Sequence, residues 1–68
     1  MKLHYYPETD SLYIELAAKA STDSREVADG VVVDLDAGGS VVGIDIDHAS
    51  KKLDLETVET VSLPLSPG

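Results

Sequence analysis

Sixty-eight residues with no cysteine, thirteen acidic side chains against five basic ones and a formal charge of -8 exclude several classes of protein at once. A chain this short removes only about 60% of its unfolded surface from water on folding, so it builds one small core, with no thiols to reinforce it by a disulfide or a thiolate metal site. The carboxylate excess repels phosphate backbones and anionic lipid, which argues against nucleic acid and membranes as partners, and no apolar run approaches the roughly 20 residues that cross a bilayer.

Met1-Lys2-Leu3-His4 leads into alternating sequence and not into a signal-peptide hydrophobic region, so a cytoplasmic location is expected. The first element is a hairpin. If Pro7-Glu8-Thr9-Asp10 is a four-residue loop, the flanking residues pair with a constant index sum of 17. Tyr5 then opposes Leu12 and Leu3 opposes Ile14 on one face, while Tyr6 opposes Ser11, His4 opposes Tyr13 and Lys2 opposes Glu15 on the other. A slip of one residue would mix the faces, so the register is specified.

Residues 18–23 are small and polar without a period and read as a loop; a short strand is expected around residues 24–27, and Asp29-Gly30 as a turn. The stretch VVVDLDAGGSVVGIDID, residues 31–47, passes the same parity test. An index sum of 77 centred on Gly38-Gly39 pairs Leu35 with Val42, Val33 with Ile44 and Val31 with Ile46 on an apolar face, leaving Asp34 against Gly43, Asp36 against Val41 and Val32 against Asp45. Gly43 does not fit a plain strand and points to a bulge or a packed neighbour. Asp47 is expected to cap a short helix that begins at His48 and carries Lys51 and Lys52 near its end, where cations complement exposed carbonyls. Beyond it, the spacing of Leu53, Leu55, Val58 and Val61 leaves helical turn and extended chain both open, and two prolines exclude a helix from the tail.

The expected fold class is therefore α+β: a small antiparallel sheet of two β-hairpins, four to five strands in all, with a short helical segment packed on the Leu3, Ile14, Val33 and Ile44 face. One domain spans residues 1–68, with an ordered core to about residue 58 and a tail over 59–68.

Three stretches, YYPETDSLYIEL, EVADGVVVDLDAGGSVVGIDI and HASKKLDLE, resemble the Tyr-x-Pro-Glu-x-Asp-x-Leu-Tyr-Ile opening, the Asp-Gly-Val-x-Val-Asp hairpin and the Ala-Ser-Lys segment of Domain of Unknown Function 2283. The resemblance covers residues 1 to about 56 and implies a prokaryotic α+β domain with no established activity. It also implies that Pro7, Asp10, Tyr13, Gly30, Gly43 and Ala49-Ser50-Lys51 are pattern positions, without a catalytic role. Some relatives are thought to accompany small toxin-like proteins, so the resemblance makes an antitoxin-like role conceivable.

The residues themselves carry little chemistry. Asp34, Asp36, Gly39 and Asp45 match positions 1, 3, 6 and 12 of a calcium loop, an alternative reading as a divalent-cation binder. Against it, Gly38 stands where a third oxygen ligand belongs, Asp45 is short for position 12, and residues 41–46 alternate as a strand. His4 and His48 are the two imidazoles; His4 opposite Tyr13 with Ser11 nearby reads as cross-strand packing, and Asp45 with Asp47 lacks an apolar pocket to raise a pKa. No catalytic, cofactor or metal site is expected, and the chain reads as a non-enzymatic interaction module.

The candidate interaction surface is the less apolar face, with His4, Tyr6 and Tyr13 on the first hairpin and Val32 and Val41 on the second, unless the helix or tail covers them. The seven acids of residues 23–47 against Arg25 suit a small basic protein as partner. A homodimer is the other expected partnership, because the core is thin, short strands leave open edges, and Val31-Val32-Val33 is apolar on both faces.

Overall fold

Alternation of apolar and polar side chains carries through the sheet seen in the computed structural model, which describes residues 1–62 and 64. Five strands, β1 (Lys2–Tyr6), β2 (Ser11–Glu15), β3 (Asp23–Ala28), β4 (Val31–Leu35) and β5 (Val41–Ile46), precede one helical turn, α1 (Ala49–Lys52). They form a single antiparallel sheet in the order β1-β2-β5-β4-β3. The fold is mostly β, with one short helix. Leu12 opposite Ile46 and Ile14 opposite Ile44 join the first hairpin to the second through their apolar positions. The short strand expected at residues 24–27 is the six-residue edge strand β3, exposed along its whole length.

The first hairpin has the expected register, Lys2 with Glu15 through Tyr6 with Ser11. Its turn closes with the Thr9 N–H donating to the Tyr6 carbonyl at 3.3 Å, and Asp10 takes a left-handed φ of 53°. The second hairpin departs from the expected register past Asp34. Leu35 pairs with Val41 and not with Val42, and the pair of Asp36 with Val41 does not form. The cause is a bulge that presents the Val42 carbonyl to the β2–β3 loop, where it accepts the Leu16 N–H at 2.9 Å and the Ala17 N–H at 3.2 Å.

The turn is also not the symmetric two-glycine turn expected. Gly39 alone of the pair has positive φ, 85°, and the Asp36 carboxylate organises the loop by accepting the Gly38 and Ser40 N–H groups, each at 2.9 Å. These backbone donors hold Asp36 below the ordinary carboxylate pKa, the Ser40 N–H contributing most.

Leu12, Ile46 and Ala49 form the centre of the core, with Ile14, Val31, Ile44 and Leu55 packed around them. Ala49 is fully buried and sets α1 directly on the sheet. Ala49 and Leu55 lie six residues apart, about 240° around a helix, so one helix could not direct both inward. The chain turns extended at Leu53 and brings Leu55 back to the sheet. The described residues after Leu55 have no regular secondary structure, and the remainder of the expected tail lies outside the described residues.

Candidate functional site

Three places bring side chains together: the polar sheet face, the end of the sheet beneath α1, and a groove on the apolar face. On the polar face, strand alternation groups His4 and Tyr6 of β1 with Tyr13 of β2 and Val32 of β4. Val41 leaves this group because the bulge pairs it with Leu35. The His4 and Tyr13 rings are 6.2 Å apart and tilted by 37°, and the His4 Nε2 lies 3.8 Å from a Glu15 carboxylate oxygen.

Tyr13 leans across β5 to donate its hydroxyl to Asp34 at 3.2 Å, and the Ser24 hydroxyl donates to the same carboxylate at 2.7 Å. Gly43 makes this crossing possible, since a Cβ there would overlap the Tyr13 hydroxyl and lie 2.6 Å from its Cζ. Loss of solvent and the neighbouring Asp34 both push the Tyr13 pKa upward. Tyr13, Asp34 and Ser24 thus serve as a strap over four strands, a use that the sequence signalled only through the misfit of Gly43.

At the end of the sheet, Asp10 performs the capping expected of Asp47. The N-cap of α1 is His48, left-handed with φ 52° and without a side-chain capping bond. Asp10 instead reaches the helix from the first turn. Its carboxylate accepts the Ser50 N–H at 3.1 Å, the Ser50 hydroxyl at 2.7 Å and the Tyr5 hydroxyl at 2.7 Å, while its carbonyl accepts the Ala49 N–H at 2.9 Å. Asp47 receives the Ser11 hydroxyl at 3.3 Å.

Hydrogen bonds from Tyr5 and then Ser50 lower the Asp10 pKa, and the bond to Asp10 raises that of Tyr5. A carboxylate stabilised in this way is a weak base toward Ser50, so Tyr5, Asp10 and Ser50 act as a tie between turn and helix. A second tie runs through Gly30, whose φ is 70° and whose carbonyl accepts the Asp47 N–H at 2.8 Å, while Lys52 donates to the adjacent Asp29 carbonyl at 2.9 Å.

Two of the three carboxylates singled out for a cation are engaged elsewhere: Asp34 with Tyr13 and Ser24, Asp36 with its own loop. Among the described residues no three histidine or carboxylate groups converge as a metal-holding cluster. Also among the described residues, no helix is long and apolar enough to cross a membrane.

The third place is an open groove of about 380 Å³ on the apolar face, between the β1–β2 edge and the segment that follows α1. Leu3, Tyr5, Leu12, Leu55 and Val58 line it, and Glu56 is its one charged wall residue. Leu3 is 52% exposed and Val58 67% exposed, although both lie on this apolar wall. Sequence parity placed Leu3 on the core face, but the shortness of its cover could not be read from parity.

No curated protein and no solved structure matches this chain. Residues 2–50 match the family model described as Protein of unknown function (DUF2283), and this stretch contains both hairpins, the β3 edge and the Asp10–Ser50 tie. The chain belongs to the DUF2283 family.

Proposed function

We propose that this chain is a non-enzymatic protein-interaction module, and that the apolar face of its sheet is the surface that holds a protein partner. One observation carries the reading. Five strands at a spacing of about 4.8 Å make a sheet roughly 24 Å wide, whereas a four-residue helix is about 6 Å long. A sheet with an apolar face is stable when a second layer covers it, and here that layer stops short, leaving Leu3, Tyr5 and Val58 in contact with water.

A second reading, a small basic partner, has its own support on the opposite face. Glu15, Glu26, Asp34 and Asp45 share that face by strand alternation, with Lys2 as the opposing strand charge. An antitoxin-like role belongs to this reading.

Site-specific photo-crosslinking in cells that express the full chain separates the two faces. A photoreactive residue at Leu3 is expected to give one discrete product, and the same residue at Glu26 none. A discrete product from Glu26 with none from Leu3 would replace the apolar face by the acidic one.

A further inference from the structure

The two edges of the sheet are built differently. β3 carries Asp23, Arg25 and Glu26 along an exposed strand, and its pairing with β4 shifts register between Glu26 and Ala28. Charge and a bulge are devices that keep an edge from pairing with another chain. β1, the opposite edge, pairs with β2 without a register shift, holds no proline and no acid, and has Lys2 at its start. Its Leu3, Tyr5 and Tyr6 are half-exposed. We propose that β1 pairs antiparallel with β1 of a second copy across a two-fold axis, His4 facing His4, so that the two five-stranded sheets become one. This contact lies at the edge and does not depend on what occupies the groove.

Backbone geometry gives the first argument. The Leu16 N–H donates to the Val42 carbonyl and the Asp10 carbonyl accepts the Ala49 N–H, each at 2.9 Å, so even-numbered residues along β2 turn their backbone groups away from β1. Ser11, Tyr13 and Glu15 therefore bond with Tyr6, His4 and Lys2, and the N–H and C=O groups of Leu3 and Tyr5 point outward from the sheet. Among the described residues, no backbone hydrogen bond from another element reaches Leu3 or Tyr5. An index sum of 8 between the copies sets each Leu3 opposite Tyr5 of the other and satisfies all of these groups. A sum of 6 would set Tyr5 opposite Met1, outside the strand, and a sum of 10 would set Leu3 opposite Pro7, which has no N–H.

Side chains give the second argument. A two-fold axis perpendicular to the sheet keeps the apolar faces on one side, so Leu3 and Tyr5 meet as cross-strand pairs on either side of the axis and the two grooves adjoin. A chain at -8 repels a copy of itself through most of its surface, yet β1 itself carries no acid. The acids around it are Glu8 and Asp10 in the turn, Glu15 on β2, and Asp54, Glu56 and Glu59 in the segment after α1. Of these, Asp10 is bonded to Tyr5 and Ser50, and Glu15 lies 3.8 Å from His4. The antiparallel register brings the turn that carries Glu8 to the Lys2 end of the other copy, and the two-fold repeats this match of opposite charges. A basic strand, by contrast, would meet Lys2 and find no acid on β1 to pair with.

Disulfide trapping and sedimentation equilibrium of the full chain test the proposal, with circular dichroism of each variant as the control for folding. The parent is expected to sediment as a dimer that dissociates on dilution. Residues that face each other in an antiparallel pair without mutual backbone hydrogen bonds have Cα atoms about 4.5 Å apart, within disulfide range. The chain has no cysteine of its own, so His4→Cys reports on that pair alone. Where the parent is dimeric, His4→Cys should oxidise to a linked dimer about tenfold or more faster than Glu26→Cys on β3, because a paired thiol meets its counterpart at near-millimolar effective concentration. Leu3→Pro removes an outward N–H and should leave a folded monomer, since edge strands tolerate proline. A parent mass of one chain at every concentration overturns the proposal, as does a dimer that persists in folded Leu3→Pro. Oxidation of His4→Cys no faster than that of Glu26→Cys overturns it as well, and this comparison decides if Leu3→Pro does not fold.

Discussion

Asp10 stabilises the docked helix as a carboxylate, so its contribution depends on pH in a definite direction. Its folded pKa lies below the ordinary value of about 3.9; the stabilisation is complete above that value and disappears as pH falls through the folded pKa. Asp10→Asn keeps the left-handed turn and one acceptor but loses the charge. At neutral pH it should melt below the parent, and the gap should narrow below about pH 4. Thermal melts of both proteins across that range check this, and a gap independent of pH would show that the charge contributes nothing.

Gly43 permits a different, steric prediction. Gly43→Ala forces the Tyr13 ring off its path to Asp34 and should cost about 1–3 kcal/mol, a typical penalty for overpacking. The cost should vanish in a Tyr13→Ala background, which urea unfolding of the double-mutant cycle would reveal. Neither role was legible as such. The Gly43 misfit marked a bulge or a packed neighbour, and both are present, whereas Asp10 meets Ser50 across forty positions, beyond any local spacing.

At the scale of elements, the first hairpin was legible because period-two alternation and a four-residue turn allow one register that keeps the faces apart. The bulge in β5 was not, because the Leu16 and Ala17 N–H groups that hold the Val42 carbonyl come from a loop with no pattern of its own. The α1 start was read one residue early, since Asp47 has the chemistry of a cap while the capping carboxylate comes from another turn. Parity also assigns Leu12 and Ile44 to the shared apolar face, and they meet there through Ile46 and Ile14. Leu12, 6% exposed, should cost about 2–5 kcal/mol as Leu12→Ala, against a total of about 3–10 kcal/mol for a chain of this length. Ile44→Asp should abolish the cooperative melt, because it drives a carboxylate against the core. A parent-like melt of Ile44→Asp would contradict the assignment of inner and outer faces.

For the whole molecule, one sheet with an unfinished second layer accounts for the exposed Leu3 and Tyr5 on its apolar face. It also predicts how salt acts. About 0.15 M salt screens exposed charges beyond about 8 Å, so a partner held by the apolar face should stay bound as salt rises from low values. A basic partner held by the acidic face would be released instead, as the yield of the Leu3 crosslink at two salt concentrations would reveal. The central claim, that the helix-side face is where the proposed protein partner binds, is tested most directly by carbene footprinting of the chain in cells and after purification. Labelling of Leu3, Leu55 and Val58 should be weaker in cells than in the purified chain while that of Ser24 and Glu26 on the β3 edge is the same in both; equal labelling of the groove in both, or protection confined to β3, would contradict it.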